Sequence, residues 1–188
     1  MLASLLQAFI FHDNSIENSR EDETTMNTIY IIVDGSNVAF SRKTGKNKAR
    51  FANLEIMVHL LDDLKTYCPI EYEIITDASL KHRIDDPGTL EASYKSGTIV
   101  ECPAGIAADE FIIDFASTRI DQAIIISNDK FSEYDTHQLT LCKFIIIFNT
   151  IVIPNFKHLF PEIASNLQQY AEIAISSEDS KSMLTTTR

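Results

Sequence analysis

Tyr30-Ile31-Ile32-Val33-Asp34-Gly35-Ser36-Asn37-Val38-Ala39-Phe40 is the stretch whose reading decides the fold. Its leading apolar residues, two Ile and a Val among them, predict a strand buried on both faces, as in a parallel sheet. The strand ends in Asp34, and Gly35 permits a tight turn and close approach of a ligand to the backbone. Ser36 and Asn37 offer a hydroxyl and an amide, suited to capping a helix or fixing the aspartate. Ligands of open α/β sheets bind just beyond the carboxyl ends of the strands, which makes Asp34 a candidate site residue. The competing assignment is that Asp34 only caps the next turn.

Two later stretches bear on that choice. Ala123-Ile124-Ile125-Ile126-Ser127-Asn128-Asp129 repeats the pattern of a buried strand ending in polar residues and an aspartate. Between the two strands, Pro103-Ala104-Gly105-Ile106-Ala107-Ala108-Asp109-Glu110 leads into an apolar-periodic segment and puts Asp109 and Glu110 in the first turn of a helix. Carboxylates gathered in one cleft repel unless a cation offsets them. The economical expectation is a hard divalent ion with oxygen ligands, Mg²⁺ or Mn²⁺.

Val33-Asp34-Gly35-Ser36-Asn37-Val38-Ala39, together with Ser127-Asn128-Asp129, resembles the NYN branch of PIN-like nucleases, particularly the Regnase-type endoribonucleases. The resemblance covers roughly Ile29 to Phe156. It implies an RNA-cleaving domain with an acidic Mg²⁺ site, to which Asp34, Asp109 and Asp129 carry over. One position departs from the pattern. The Regnase type has two adjacent aspartates, the second falling on Asp109; here Ala108 stands at the first, and Glu110 follows the second.

At 188 residues the chain is long enough to bury a sizeable core, and 45% apolar with 23% charged residues is ordinary for a globular domain. The net charge of −11 excludes bulk attraction to nucleic acid, leaving room for a local basic patch. Cys68, Cys102 and Cys142 show neither a disulfide framework nor zinc spacing, so a reducing, cytoplasmic setting is expected. The longest apolar run, Phe144 to Ile153, is interrupted by Asn149 and Thr150, so no membrane span or membrane partner is expected. Residues 1–25 read as an acidic extension before Met26, a second candidate start. The alternative is that Leu2, Leu5, Leu6, Phe9 and Ile10 form a helix docking on the domain or on a second copy, making a homo-oligomer. Residues 26–175 are expected to form the domain, and 176–188 a Ser/Thr-rich disordered tail.

Positive charge is concentrated in Arg42, Lys43, Lys46, Lys48 and Arg50, directly after the Asp34 strand, and in Lys81, His82 and Arg83 after the second. A solvated loop is the usual fate of such a run; its place beside the acids favours contact with phosphates. The first run is expected to be mobile until substrate binds. Leu54, Met57, Val58, Leu61 and Leu64 predict an amphipathic helix with His59 partly exposed on it rather than a ligand. Tyr72 to Thr76 predicts a strand ending in Asp77, either a weaker member of the acidic cluster or a turn residue. Asp86-Pro87 opens a helix that Gly97 stops, and Thr98 to Glu101 forms a short strand. Phe131 and Tyr134, in the polar loop Lys130 to Gln138, either stack on bases or pack beneath the loop. Phe144 to Ile147 and Ile151 to Ile153 predict a hairpin, and Pro161 to Ile175 a final helix.

The β-α-β-α-β-α-β order predicts a three-layer α/β sandwich with a mainly parallel sheet, PIN-like and Rossmannoid within that class. The expected activity is metal-dependent hydrolysis of single-stranded RNA. Asp34, Asp109 and Asp129 are the expected ligands, with Glu110 and Asp77 weaker ones. Asn37 is expected to orient Asp34 or a water, and Asn128 to act similarly beside Asp129. Ser36, the basic residues and Asn128 are expected to contact RNA. A haloacid-dehalogenase phosphatase would need an acid where Ser36 stands, and an integrin-type metal site a serine where Val38 stands. The remaining rival is a PIN-like scaffold that binds RNA or a protein partner without cleaving.

Overall fold

Five of the strands join a single parallel sheet, and their order puts the quoted stretch at its centre. The computed structural model describes residues 28–41, 48–119 and 123–154. The expectations for residues 1–25, Arg42, Lys43, Lys46, the helix 161–175 and the tail 176–188 lie outside those residues. Strand β1 (Ile29–Asp34) lies between β2 (Ile70–Thr76) and β4 (Ala123–Ile126). Strands β3 (Val100–Glu101) and β5 (Thr140–Cys142) flank them in the order β3-β2-β1-β4-β5, all neighbours parallel. The chain first builds outward from β1 to β3 and then returns to the other side with β4. The crevice beyond β1 and β4 is therefore the topological switch point of the sheet.

Alternation along the strands divides the core between two faces. Ile32, Ile75, Ala123 and Ile125 pack with Ile112, Ile113 and Ala116 of α4 (Ala108–Ser117). The opposite face, with Ile74 and Thr76, receives α1 (Gly35–Phe40), on which α2 (Phe51–Lys65) packs in turn. The result is the predicted three-layer α/β sandwich. Helix α3 (Pro87–Ser96) opens as expected, with Asp86 accepting a hydrogen bond from the Thr89 amide, and stops at Gly97, whose φ of 76° needs no Cβ. His59 is exposed on α2. Among the described residues no helix is long and apolar enough to cross a membrane.

Gly35 has a different reason from the one the sequence suggests. It lies in the first turn of α1, and a Cβ there would come 2.7 Å from Thr76 Cγ2 and 3.0 Å from the Ile75 carbonyl oxygen. Close packing of α1 on β2 demands the glycine, rather than a special turn or a ligand. Strand β5 escaped the sequence reading because three residues, TLC, carry no periodic signal. The predicted hairpin is present as β6 (Ile145–Ile147) and β7 (Thr150–Val152), forming a separate antiparallel pair.

Candidate functional site

Asp34 is both a cap and the centre of the candidate site. Its Oδ1 accepts a hydrogen bond from the Asn37 amide (2.9 Å), capping α1, while Oδ2 accepts one from Ser127 Oγ (2.8 Å). The parallel register makes the second bond possible: Val33 pairs with Ile126, so Asp34 and Ser127 leave neighbouring strands together. Ser127 is 2% exposed, and its Oγ also accepts the Asp129 amide proton at 3.0 Å. One hydroxyl thus joins the Asp34 carboxylate to the backbone that carries Asp129. Ser127 was not among the expected site residues. The available signal was its place next to the end of a buried strand, in register with Asp34.

Burial is the main force on Asp34, which is 5% exposed. Desolvation pushes its carboxyl from 3.8 up to about 6, against the two hydrogen bonds; Asp109 and Asp129 add to the rise. Asp109 also lies above the ordinary aspartate range, through desolvation and the charges of Asp129, Glu133 and Asp77. The expected carboxylates therefore share one electrostatic neighbourhood. Glu133 joins them unexpectedly, from the polar loop Lys130 to Gln138. Asp109 stands half-buried in the first turn of α4, a helix whose N-terminus has no side-chain cap. Partial positive charge at that end favours carboxylates there. Glu110, one step on, is exposed.

Several expected roles change. Asn37 contributes its backbone amide to Asp34, but its side-chain Oδ1 accepts the Asn128 amide proton at 3.1 Å. It binds the two strand-end loops together. Asn128 is exposed but anchored to Phe144: its Nδ2 donates to the Phe144 carbonyl (2.9 Å) and its Oδ1 accepts from the Phe144 amide (3.1 Å). Ser36 Oγ accepts the Asp77 amide proton at 2.8 Å, joining the ends of β1 and β2. Asp77 accepts the Ser79 amide proton at 2.7 Å, as a turn residue does; hydrogen bonds from the Ser79 side chain and then its backbone hold the Asp77 carboxyl below the usual range. Phe131 is 2% exposed in the core and cannot stack on a base, and Tyr134 packs half-buried against the same cluster. The common cause is that loops leaving a sheet must satisfy their own backbone groups, and short polar side chains do it.

The two basic groups meet. Ala49 and Ile84 form a parallel bridge, with the Ala49 amide donating to the Arg83 carbonyl and the Asp85 amide to the Ala49 carbonyl, both at 3.0 Å. Ala49 is buried, so the described end of the first basic run is fixed rather than mobile. Lys48, His82 and Arg83 are exposed, and Arg50 is half-buried. Lys81 is paired with Glu101 at 2.9 Å. Arg83 also helps to hold the Asp77 carboxyl low, which puts it in electrostatic reach of the acidic strand ends.

Among the described residues, no three His, Cys, Asp or Glu side chains are disposed to hold a metal ion by themselves. The donor set is nonetheless all oxygen, which suits a hard ion. Mg²⁺ commonly takes one or two carboxylates and completes its shell with waters and substrate phosphates. The residues fit such a water-rich site and do not form a closed protein cage.

Residues 27–163 match the family of the Zc3h12a-like ribonuclease NYN domain. No curated protein matches the chain. Among solved structures, nuclear proteinaceous RNase P 2 (PRORP2) from A. thaliana is similar over 65% of this chain, with 14% identity and a TM-score of 0.52. The chain spans 29% of that protein's structure, and at this identity the likeness concerns the fold. Rae1 (YacP) from Bacillus subtilis, in a mutant form, is 14% identical over 80% of this chain and 83% of its own, with a TM-score of 0.46.

Proposed function

We propose that this chain, which belongs to the Zc3h12a-like ribonuclease NYN domain family, is a metal-dependent endoribonuclease acting on single-stranded RNA. The observation that carries the reading is the Asp34–Ser127–Asp129 network at the switch point of the sheet, within the field of Asp109. Asp34, Asp109 and Asp129 would hold Mg²⁺ or Mn²⁺, with Glu133 beside them. When bound, such an ion supplies charge neutralisation at the scissile phosphate and lowers the pKa of a coordinated water.

The protein's own part is positional and electrostatic. Asn37 and Ser127 fix both oxygens of Asp34, so its remaining lone pairs keep one direction. With its carboxyl near 6, Asp34 is ionised at neutral pH while buried, a costly state that a cation relieves. Lys48, Arg50 and Arg83 supply the phosphate attraction that a net charge of −11 otherwise denies.

A specific observation favours a second reading, a scaffold that binds RNA without cleaving it: Ala108 stands where the Regnase-type pattern has an acid, and no three described carboxylates form a cage. Incubation of the purified chain with single-stranded RNA, with Mg²⁺ and then with excess chelator, separates the two. Internal cleavage that needs the metal and disappears in Asp34→Asn supports the enzyme. RNA binding without cleavage under every metal condition supports the scaffold.

A further inference from the structure

The C-terminal end of α1 carries a feature that the acidic site does not use. Phe40 is the last residue of that helix, and the Arg83 guanidinium lies over its ring, 4.5 Å from the centroid. Both partners are held by backbone. The Arg50 amide donates to the Ala39 carbonyl at 2.9 Å, and buried Asn53 Nδ2 donates to the carbonyls of Val38 and Ala39 at 3.2 and 3.3 Å. The Ala49–Ile84 bridge fixes Arg83 from the other side through its carbonyl. Phe40 is half-buried and Arg83 exposed, so the ring supports the guanidinium from the protein side.

From this arrangement we infer that Arg83, laid on Phe40, is a stacking platform for an unpaired base adjoining the scissile link; the inference rests on the ribonuclease reading above. A guanidinium is planar, weakly hydrated and able to stack on a base, which an ammonium cannot do. Phe40 fixes the plane before substrate arrives, so less side-chain freedom is lost on binding. Lys48 and Arg50 flank the bridge and supply charge for the connecting phosphates. The neighbouring acids are already engaged: Asp85 Oδ1 accepts the Phe51 amide proton, and Asp77 accepts the Ser79 amide proton.

Helix α1 also sets the spacing. Asp34 caps its start and Phe40 ends it, and six helical residues span about 9 Å. The platform thus receives a neighbouring nucleotide and leaves the reacting phosphate to the acids. A base paired in a duplex must first be unpaired and unstacked to lie on Arg83, so the platform favours single strands. It is a specificity determinant that touches substrate away from the reacting atoms.

The test uses the full chain carrying Asp34→Asn, so that RNA is bound without turnover. The probe is a single-stranded oligoribonucleotide with 2-aminopurine at successive positions. In the parent, one position should show fluorescence quenched by stacking. Arg83→Lys keeps the charge and removes the plane; it should abolish that quenching and weaken binding roughly five- to a hundredfold. The log–log salt slope should stay unchanged. Phe40→Leu should act in the same direction, while Arg83→Ala should also lower the slope by about 0.7. Parent-like quenching and affinity in Arg83→Lys overturn the platform, leaving Arg83 a point charge. Failure of the parent itself to bind RNA overturns the ribonuclease reading instead.

Discussion

The two ends of helix α1 are built on opposite plans. At its start, a buried carboxylate is gripped by a backbone amide and by a serine of the next strand, at the cost of a carboxyl raised to about 6. At its end, an exposed cation rests on an aromatic ring, and backbone bonds from two loops hold the pair in place. The first end buries the group that carries charge; the second orders its cation on a ring but leaves it open to water. That difference separates reactivity from affinity. Fixed buried charge suits chemistry, which gains from preorganisation. Exposed charge on a fixed base suits a polyanion, which must be caught from solvent and released.

The sharpest break in this comparison is Asp34→Asn. If Asp34 holds the cation as proposed, its loss should remove several kcal/mol of transition-state stabilisation, lowering cleavage by roughly a thousandfold or more. RNA affinity should change little. The same substitution should alter stability in a pH-dependent way. Below the ordinary aspartate range, Asp34 is protonated whether the chain is folded or unfolded, and it confers no penalty. As the pH rises from 3.8 through about 6, the unfolded carboxyl ionises freely and the folded one resists, so the wild type loses about 3 kcal/mol. Asp34→Asn escapes that loss. Its stability relative to wild type should therefore rise between pH 4 and pH 8 in the absence of divalent ions, and added Mg²⁺ should raise the Tm of wild type alone. Equal pH profiles for the two proteins would show that Asp34 is not a strained charge.

Ser127→Ala should come next. It deprives Asp34 Oδ2 of a donor in a buried setting and takes the acceptor from the part-buried Asp129 amide. Groups that support metal-binding carboxylates typically cost 10–100-fold in activity when removed, and an unsatisfied buried partner about 1–3 kcal/mol in stability. The kcat should fall with KM little changed, which steady-state kinetics on a short RNA would measure. A change confined to KM would move Ser127 to the affinity side of the comparison.

This contrast also explains what the sequence could and could not say. The places of Asp34, Asp109 and Asp129 at element ends were legible because buried strands and an apolar-periodic helix announce their own ends, and the β-α alternation then places those ends at one edge. The parallel sheet was legible for the same reason. Ser127, Glu133 and Phe40 were not, since their roles depend on register and on loop paths. Only the Val33–Ile126 pairing puts Ser127 Oγ against Asp34, and only the Ala49–Ile84 bridge brings Arg83 to Phe40. Ser36 and Asn128 have backbone partners that were not legible, for a related reason. A polar side chain after a strand looks ready for a ligand, yet both are taken up by backbone groups, of Asp77 and Phe144.

A smaller effect, and of the opposite kind, is expected at the exposed end. Lys48→Ala combined with Arg50→Ala should raise KM several-fold and leave kcat nearly unchanged. If each residue contacts one phosphate, the log–log salt slope of single-strand binding should fall by about 0.7 per residue. A salt titration on the Asp34→Asn background measures it, and parallel curves would reduce these residues to solvated charges.

The smallest effects should come from Glu133 and Glu110, two acids that the comparison assigns differently. Glu133 raises the Asp109 carboxyl, as Asp129 does, so it belongs electrostatically to the reactive end. Glu110 is exposed at the start of α4. Removing the Glu133 charge should let Asp109 stay ionised to lower pH. The acidic limb of the activity profile should then move downward in Glu133→Gln, with only a few-fold change at neutral pH. Glu110→Gln should leave the limb in place. Its single loss is a charge at the start of α4, worth roughly 0.3–1 kcal/mol of helix stability, with turnover within a few-fold of wild type. Profiles from pH 4.5 to 8 at saturating Mg²⁺ distinguish the two. A shift in Glu110→Gln with none in Glu133→Gln would exchange their assignments and place the acidic site on the outer side of α4.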